Sequence, residues 1–223
     1  MNPAATPTPK PDTQDGRWMN VHNRYVSEAK EKEPEVIMIG DSLIQHLEHL
    51  DYWNRVYAPM HTLNFGIGGD ETQHVLWRIS NGELDNVKPK VVVILAGTNN
   101  SGSSEEIAEG ILEIVKVVRD KQPDAYIVLL SLLPRGHLPN PLRDRNEAIN
   151  VIIKEKALAM NKVEVLSIGQ CLVQPDGTIS HHDMYDYLHL TNAGYEKAFE
   201  PLAELLQQLL SEGEVEHDLT PSE

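Results

Sequence analysis

Apolar positions along this chain alternate between two rhythms. Residues 36–39, bounded by Pro34 and Gly40, form a short continuous apolar run, as do segments 61–65, 89–96, 125–132 and 163–168. Such runs, bounded by turn residues and rich in Val, Ile and Leu, predict strands buried on both faces. Between them the period changes to that of a helix. Trp18, Val21, Tyr25, Val26 and Ala29 share one helical face over 18–32, and residues 43–47 have helical spacing after Ser42. Val75, Leu76 and Ile79 mark another helix, with Asp70 and Thr72 as its expected caps. Ile107, Ile111, Ile114, Val115 and Val118 line one face over 104–121. Residues 142–160 and a final stretch from Thr191 or Asn192 through Leu209 complete the series.

Strands alternating with helices five times predict an α/β fold, a doubly wound five-stranded parallel sheet covered on both faces. Right-handed crossovers give the expected strand order 2-1-3-4-5, and ligands in such sheets bind beyond the C-terminal strand ends. Those ends are the Gly40-Asp41-Ser42 junction, the loop Gly66-Ile67-Gly68-Gly69 and the loop Gly97-Thr98-Asn99-Asn100. Three unusual loops are therefore expected on one edge.

The composition narrows the setting. The domain is expected over 17–210. Residues 1–16, rich in Pro and Thr, are expected to be a disordered arm, and 211–223 a disordered acidic tail. A net charge of −15 argues against nucleic acid as a partner, because phosphate binding needs clustered cations. No segment has the length and apolarity of a membrane span, and the N-terminus carries no apolar signal core. A single cysteine, Cys171, fits a reducing compartment, so a cytoplasmic location is expected.

Acyl transfer requires a nucleophile, a base, a group that orients the base, and donors for an oxyanion. Ser42 stands at a strand-to-helix junction, where backbone N–H groups point outward. The ordinary use of Ser or Asp at that place is as a helix cap. His189 is the candidate base, because Asp186 precedes it by three residues, a spacing that puts both on one side of a helical turn. The backbone N–H groups of Ser42 and Gly69 and the side-chain amide of Asn99 are the candidate oxyanion donors. His181, His182 and Asp183 offer metal-ligand types, but no second cluster has metal spacing, and neither a metal nor a cofactor is expected.

Gly40-Asp41-Ser42, the glycine loop ending at Gly69, Gly97-Thr98-Asn99 and Asp186-x-x-His189 resemble the four blocks of the SGNH (GDSL-type) hydrolases. The segments 63–70, 74–78, 81–84, 132–136 and 182–186 are similar to the catalytic α subunits of type Ib intracellular platelet-activating-factor acetylhydrolase over roughly residues 17–210. That resemblance implies a flavodoxin-like fold and calcium-independent hydrolysis of the sn-2 acetyl ester of platelet-activating factor. It also implies a homo- or heterodimer of α subunits bound to a WD40-repeat lissencephaly protein. By position it makes Ser42 the nucleophile, Asp186 and His189 its partners, and Gly69 and Asn99 the oxyanion donors. Asn100 stands where many SGNH members carry Asp, as it does in the acetylhydrolase branch. Leu43 and Leu188, which flank the nucleophile and the base, are expected to wall a pocket limited to short acyl groups. The competing readings are a catalytically silent scaffold subunit and an esterase for acetylated carbohydrate.

Overall fold

β-Branched and aliphatic runs become strands wherever both of their faces are covered. A computed structural model of the protein describes residues 1–218, with side chains through residue 212. β1 (Val36–Gly40), β2 (Thr62–Gly66), β3 (Val91–Leu95), β4 (Tyr126–Leu130) and β5 (Val163–Leu166) pair in parallel in the order β2-β1-β3-β4-β5. This is the doubly wound sheet expected from the alternation. Every residue of β1 and β3 is buried. Successive side chains of a strand point to opposite faces, so burial throughout requires helices on both sides. β5, at one edge, has no fully buried residue.

The covering helices are α1 (Arg17–Glu31), α2 (Ser42–Leu47), α3 (Asp51–Val56), α4 (Thr72–Arg78), α5 (Ser104–Lys121), α6 (Pro141–Ala157) and α7 (Asn192–Asp218). α5 packs between α4 and α6, while α7 packs against α3 and β3. Ser103 caps α5, and its reciprocal bonds with Glu106 form a capping box. α3 gives only a weak signal in sequence, since six residues hold less than two turns of periodicity. Residues 211–218, expected to be disordered, continue α7, and 219–223 lie outside the described residues.

The N-terminal arm differs from its expected disorder. Pro3–Ala5 forms a 3-10 turn capped by Asn2, whose amide also reaches Glu106 O and Glu109 on α5. Ala4 is buried, and its carbonyl accepts from Thr72 Oγ1 at 2.7 Å. Thr8 N–H donates to Gln73 O, and Lys10 Nζ donates to Gly68 O at 3.2 Å. The arm docks through hydrogen bonds rather than an apolar face, which a composition argument does not register. The cap of α4 also differs. Glu71 is the N-cap, with its N–H donated to His74 Nδ1, while Asp70 turns inward and Thr72 binds the arm.

Asp70 turns inward because Arg78 is there. Arg78 has no exposed side-chain surface and uses its whole guanidinium. Nε donates to Asp70 Oδ2 at 2.8 Å and Nη1 to Glu83 Oε2 at 2.6 Å. Nη2 donates to the carbonyls of Gly40 and Phe65 at 3.2 and 3.0 Å. His22 Nδ1 lies 2.9 Å from Glu83, and Trp18 Nε1 donates to Asp70 at 2.8 Å. Burial works against the cation, but Glu83 and Asp70 outweigh it and hold the Arg78 pKa above its ordinary value.

At the end of β1 the chain turns sharply. A Cβ on Gly40 would stand 2.3 Å from Leu95 O, so only glycine lets β1 pass β3 there. Asp41 follows as the N-cap of α2, accepting from Leu43 N–H at 2.9 Å. Burial, helped by repulsion from Asp70, pushes its carboxyl up to about 7, against the bond from Leu43.

Two stability measurements test these anchors. Arg78→Ala leaves two buried carboxylates without their cation and is expected to lose about 3–5 kcal/mol in urea unfolding. A loss no larger than the roughly 0.5 kcal/mol of an ordinary surface substitution would contradict the anchor. For Asp41 the unfolded carboxyl ionises near 3.8 and the folded one near 7. The folded state therefore binds the extra proton between these values, and stability falls as pH rises from about 4 to about 7. Asp41→Asn keeps the cap and removes that ionisation. Its melting temperature should gain on the parent's across this window, and parallel pH profiles would refute the assignment.

Candidate active site

The site lies at the C-terminal edge of the sheet, where β1, β2 and β3 each end in a loop. Ser42 is the first residue of α2, immediately after its capping Asp41. Tyr195 OH from α7 donates to Leu43 O at 2.7 Å, and Asn64 Nδ2 from β2 donates to Ile44 O at 2.6 Å. The short helix that presents Ser42 is thereby held from two sides.

Ser42 Oγ lies 3.1 Å from His189 Nε2, and His189 Nδ1 lies 2.6 Å from Asp186 Oδ2. The three side chains form one hydrogen-bonded series although 147 residues separate the hydroxyl from the imidazole. The Asp-x-x-His spacing works differently from the expected helical turn. Asp186 Oδ1 accepts from the N–H groups of Leu188 and His189, at 3.0 and 2.7 Å, and Tyr187 between them is left-handed at φ 59°. The carboxylate thus folds its own loop through one oxygen and holds the ring through the other. Its slight burial works the other way, but the bonds from the His189 ring and from both N–H groups hold the Asp186 carboxyl below its usual range. A hydroxyl, an imidazole and an ionised carboxylate in this order can move a proton from Oγ to Nε2 while the cation that forms is stabilised.

Beside Ser42 runs the glycine loop. An ideal Cβ on Gly68 would lie 3.7 Å from the Ser42 Cβ, which places the loop against the hydroxyl. Gly69 is left-handed at φ 76°, and a side chain there would also meet Lys10 Nζ at 2.8 Å. The loop's internal bonds run from Ile67 N to Gly40 O, Gly68 N to Gln45 Oε1 and Asp70 N to Ile67 O. The Gly69 N–H takes no part in them. Asn99 Nδ2 donates to Asp70 O at 3.0 Å and stands 3.5 Å from Asp41 Oδ2. The second contact is long for a hydrogen bond. Asn100 does separate work: its Oδ1 accepts from Thr72 N–H and its Nδ2 donates to Thr72 Oγ1 and Gln73 Oε1, fixing the start of α4.

The two leucines part company. Leu43 is 2% exposed and belongs to the core, so it backs Ser42 from inside and offers no open wall, a correction to the expectation for it. Leu188 is half-buried beside His189. Asp183 of the His181-His182-Asp183 run is paired with Lys197 at 2.9 Å.

Sequence reasoning passed over two neighbours of the imidazole. The ring of His46 lies 5.3 Å from that of His189, and Tyr185 stacks on it at 6.0 Å. Burial, with the nearby His189, holds the His46 pKa below its ordinary value. His46 follows Ser42 by one helical turn, and that spacing was the available signal.

The chain is similar to known proteins over most of its length. Residues 38–197 match the GDSL-like Lipase/Acylhydrolase family model. The chain is 52% identical to the Drosophila melanogaster platelet-activating factor acetylhydrolase IB subunit beta homolog, over the full length of both. It is 50% identical to the Homo sapiens platelet-activating factor acetylhydrolase IB subunit alpha1, covering 95% of this chain and 92% of that one. Among solved structures, a GDSL-like lipase from Bacteroides thetaiotaomicron superposes with a TM-score of 0.70 at 20% identity, covering 84% of this chain and 97% of that one. A carbohydrate acetylesterase from Sinorhizobium meliloti does so with a TM-score of 0.62 at 17% identity, over 79% and 100% of the two chains. The serine that follows Gly40-Asp41 thus sits within a matched family region, and the chain belongs to the GDSL-like lipase/acylhydrolase family.

Proposed function

We propose that this protein is a calcium-independent serine esterase that hydrolyses the sn-2 acetyl ester of platelet-activating factor and similar short-chain esters. The observation that carries the reading is the series Ser42 Oγ, His189 and Asp186, at 3.1 and 2.6 Å, set against the Gly69 loop and Asn99. Ser42 Oγ attacks the acetyl carbonyl carbon as its proton passes to His189 Nε2, and Asp186 stabilises the imidazolium. The carbonyl oxygen becomes an oxyanion that accepts from the N–H groups of Ser42 and Gly69 and from the Asn99 amide. One Asn99 hydrogen is held by Asp70 O, and the long contact to Asp41 leaves the other for the oxyanion. Collapse expels the glycerol oxygen, which takes the proton from His189. Water, deprotonated by His189, then attacks the acetyl-Ser42 carbonyl, and collapse releases acetate as Ser42 Oγ takes the proton back from His189.

The similarity to proteins named as acetylhydrolase IB subunits supports an α-type subunit within this reading. We infer a homo- or heterodimer that binds a WD40-repeat lissencephaly protein, in the cytoplasm, where the exposed Cys171 stays reduced. Among the described residues, no helix is long and apolar enough to cross a membrane.

The decisive experiment is hydrolysis of platelet-activating factor and of a generic acetyl ester, with and without chelator. The parent should be active and insensitive to chelator, Ser42→Ala should fall to background, and Asn99→Ala should lose about 10²–10³ in kcat. A parent inactive on both esters would overturn the esterase reading in favour of a scaffold subunit. Acyl selectivity is assigned to Leu188. Leu188→Ala should raise propionyl and butyryl hydrolysis relative to acetyl by about tenfold, the worth of a methylene or two in a pocket. An unchanged chain-length profile would remove Leu188 from that role.

A further inference from the structure

Around the Thr98 carbonyl, beside Asn99, arginines gather without ion-pair partners. Arg135 Nη1 donates to Thr98 O at 3.0 Å and lies 3.3 Å from Thr98 Oγ1. Arg145 on α6 donates from Nη2 to the same Thr98 O at 3.2 Å and from Nη1 to Asn100 O at 2.8 Å. Two cations therefore share one carbonyl, directly before the Asn99 amide. Arg143 stands behind them and holds Gly136 O and Gly177 O at 2.7 and 2.6 Å. Among the described residues, none of the three forms a salt bridge.

In a chain of net charge −15, the buried cation Arg78 has two carboxylates and Arg119 is held by backbone carbonyls, but neither shares its acceptor with a second guanidinium as Arg135 and Arg145 do. Arg145 has a buried Nε with no hydrogen-bond partner, and burial, with the charge of Arg135 added to it, lowers its pKa. Arg135 is half-buried and commits only Nη1 to Thr98, leaving the rest of its fork unused. The same segment touches the opposite side of the site, since Gly136 N–H donates to Tyr187 O at 2.8 Å within the Asp186–His189 loop. Arg135 thus stands between the Asn99 loop and the loop that carries the imidazole. Two like charges held together beside Asn99 without an acid, one of them with an open fork, can receive an anion by charge-assisted hydrogen bonds.

We propose that Arg135 and Arg145 bind a phosphate group carried on the alcohol side of the ester, and so position the leaving group next to Asn99 and His189. The inference rests on the esterase reading for its place in the reaction. Its chemistry, a phosphate received by the open fork of Arg135 with the charge of Arg145, held on Thr98 O, Asn100 O and Asn146 Oδ1, beside it, also fits free phosphate, and the test separates the two sources.

Steady-state kinetics of the full-length protein would compare two acetyl esters of the same long-chain glycerol ether, one with a free 3-hydroxyl and one with a 3-phosphate. The parent should favour the phosphate ester in kcat/KM, through KM, and the preference should shrink as salt rises. Arg135→Lys and Arg145→Gln should each lower the phosphate-to-neutral ratio of kcat/KM at least tenfold. If the arginines only brace the Thr98 carbonyl, both esters will lose kcat in parallel and the ratio will stand, which overturns the proposal. In parallel, Ser42→Ala protein would be titrated with inorganic phosphate and with sn-glycerol 3-phosphate by calorimetry. Saturable glycerol phosphate binding that is lost with Arg145→Gln supports the site even if no ester is turned over, so failure of the esterase reading stays distinguishable. Phosphate binding with an unchanged ester ratio would assign the pair to the free anion and overturn the substrate role. No binding of either anion would overturn the site altogether.

Discussion

A single guanidinium without exposed surface, that of Arg78, sets the geometry on which the reactive edge depends. Parallel strands that stop at a common edge leave carbonyl oxygens beyond their last ladder bonds, and a buried carbonyl needs a donor. Arg78 ties Gly40 O, at the end of β1 and also bound by Ile67 N–H, to Phe65 O, one residue before the end of β2, and spends its other nitrogens on Asp70 and Glu83. The consequence passes outward by contact. Asp70, held by Arg78 and Trp18, closes the glycine loop, and its carbonyl orients the Asn99 amide. A buried ion pair of this kind is weak evidence for stability relative to an apolar core, but its bonds are directional. Methyl groups would fill the same volume without fixing where Asp70 O points.

The same economy governs the opposite end of the site. Asp186 uses one carboxylate oxygen to close the turn that carries His189 and the other to hold the ring. Tyr187 accepts a left-handed backbone to make that turn, a strain of order 1 kcal/mol, and Gly136 N–H pins its carbonyl. Orientation of the imidazole and folding of its loop are therefore one event. The hydroxyl comes from a different direction, on a helix capped by Asp41 and held by Tyr195 and Asn64, so the two partners meet only because the sheet fixes both supports.

The parts of this structure legible in sequence are those written as periodicity or as contiguous motifs. The run 91–95 is continuous in Val, Ile and Leu and lies where the pattern placed it, and α5 occupies 104–121 because Ser103 and Glu106 mark its start. The loops bearing Ser42, Gly69 and Asn99 are expected together from the alternation alone, since the C-terminal ends of parallel strands share an edge. What escaped is what depends on pairs far apart in sequence. The arm's polar composition predicts disorder, but it is anchored by hydrogen bonds to residues far along the chain, from Asn2 to Glu106 and Glu109, from Thr72 to Ala4 O and from Lys10 to Gly68 O. Asp70 looked like a cap because caps are local, and its true partner lies on the next turns of α4. Arg78 sat in view as a charge within the apolar face of Val75, Leu76 and Ile79, and only burial gives that position meaning. Leu43 shows the converse: adjacency to the nucleophile suggested a pocket wall, but in a short helix successive residues face about 100° apart, and this one faces the core.

The charge pattern sets what the edge can attract. A net charge of −15 gives the surface a negative field that is screened beyond about 8 Å at physiological salt. An anionic ester approaching from solution thus meets repulsion in general and attraction only where cations are exposed without acids. Around this site that condition holds on the side of Asn99 occupied by Arg135, while on the glycine-loop side Lys10 is already drawn to within 3.7 Å of Asp70. The reactive edge is therefore electrically lopsided. A neutral group has no electrostatic reason to prefer either side of such an edge, whereas an anionic one does.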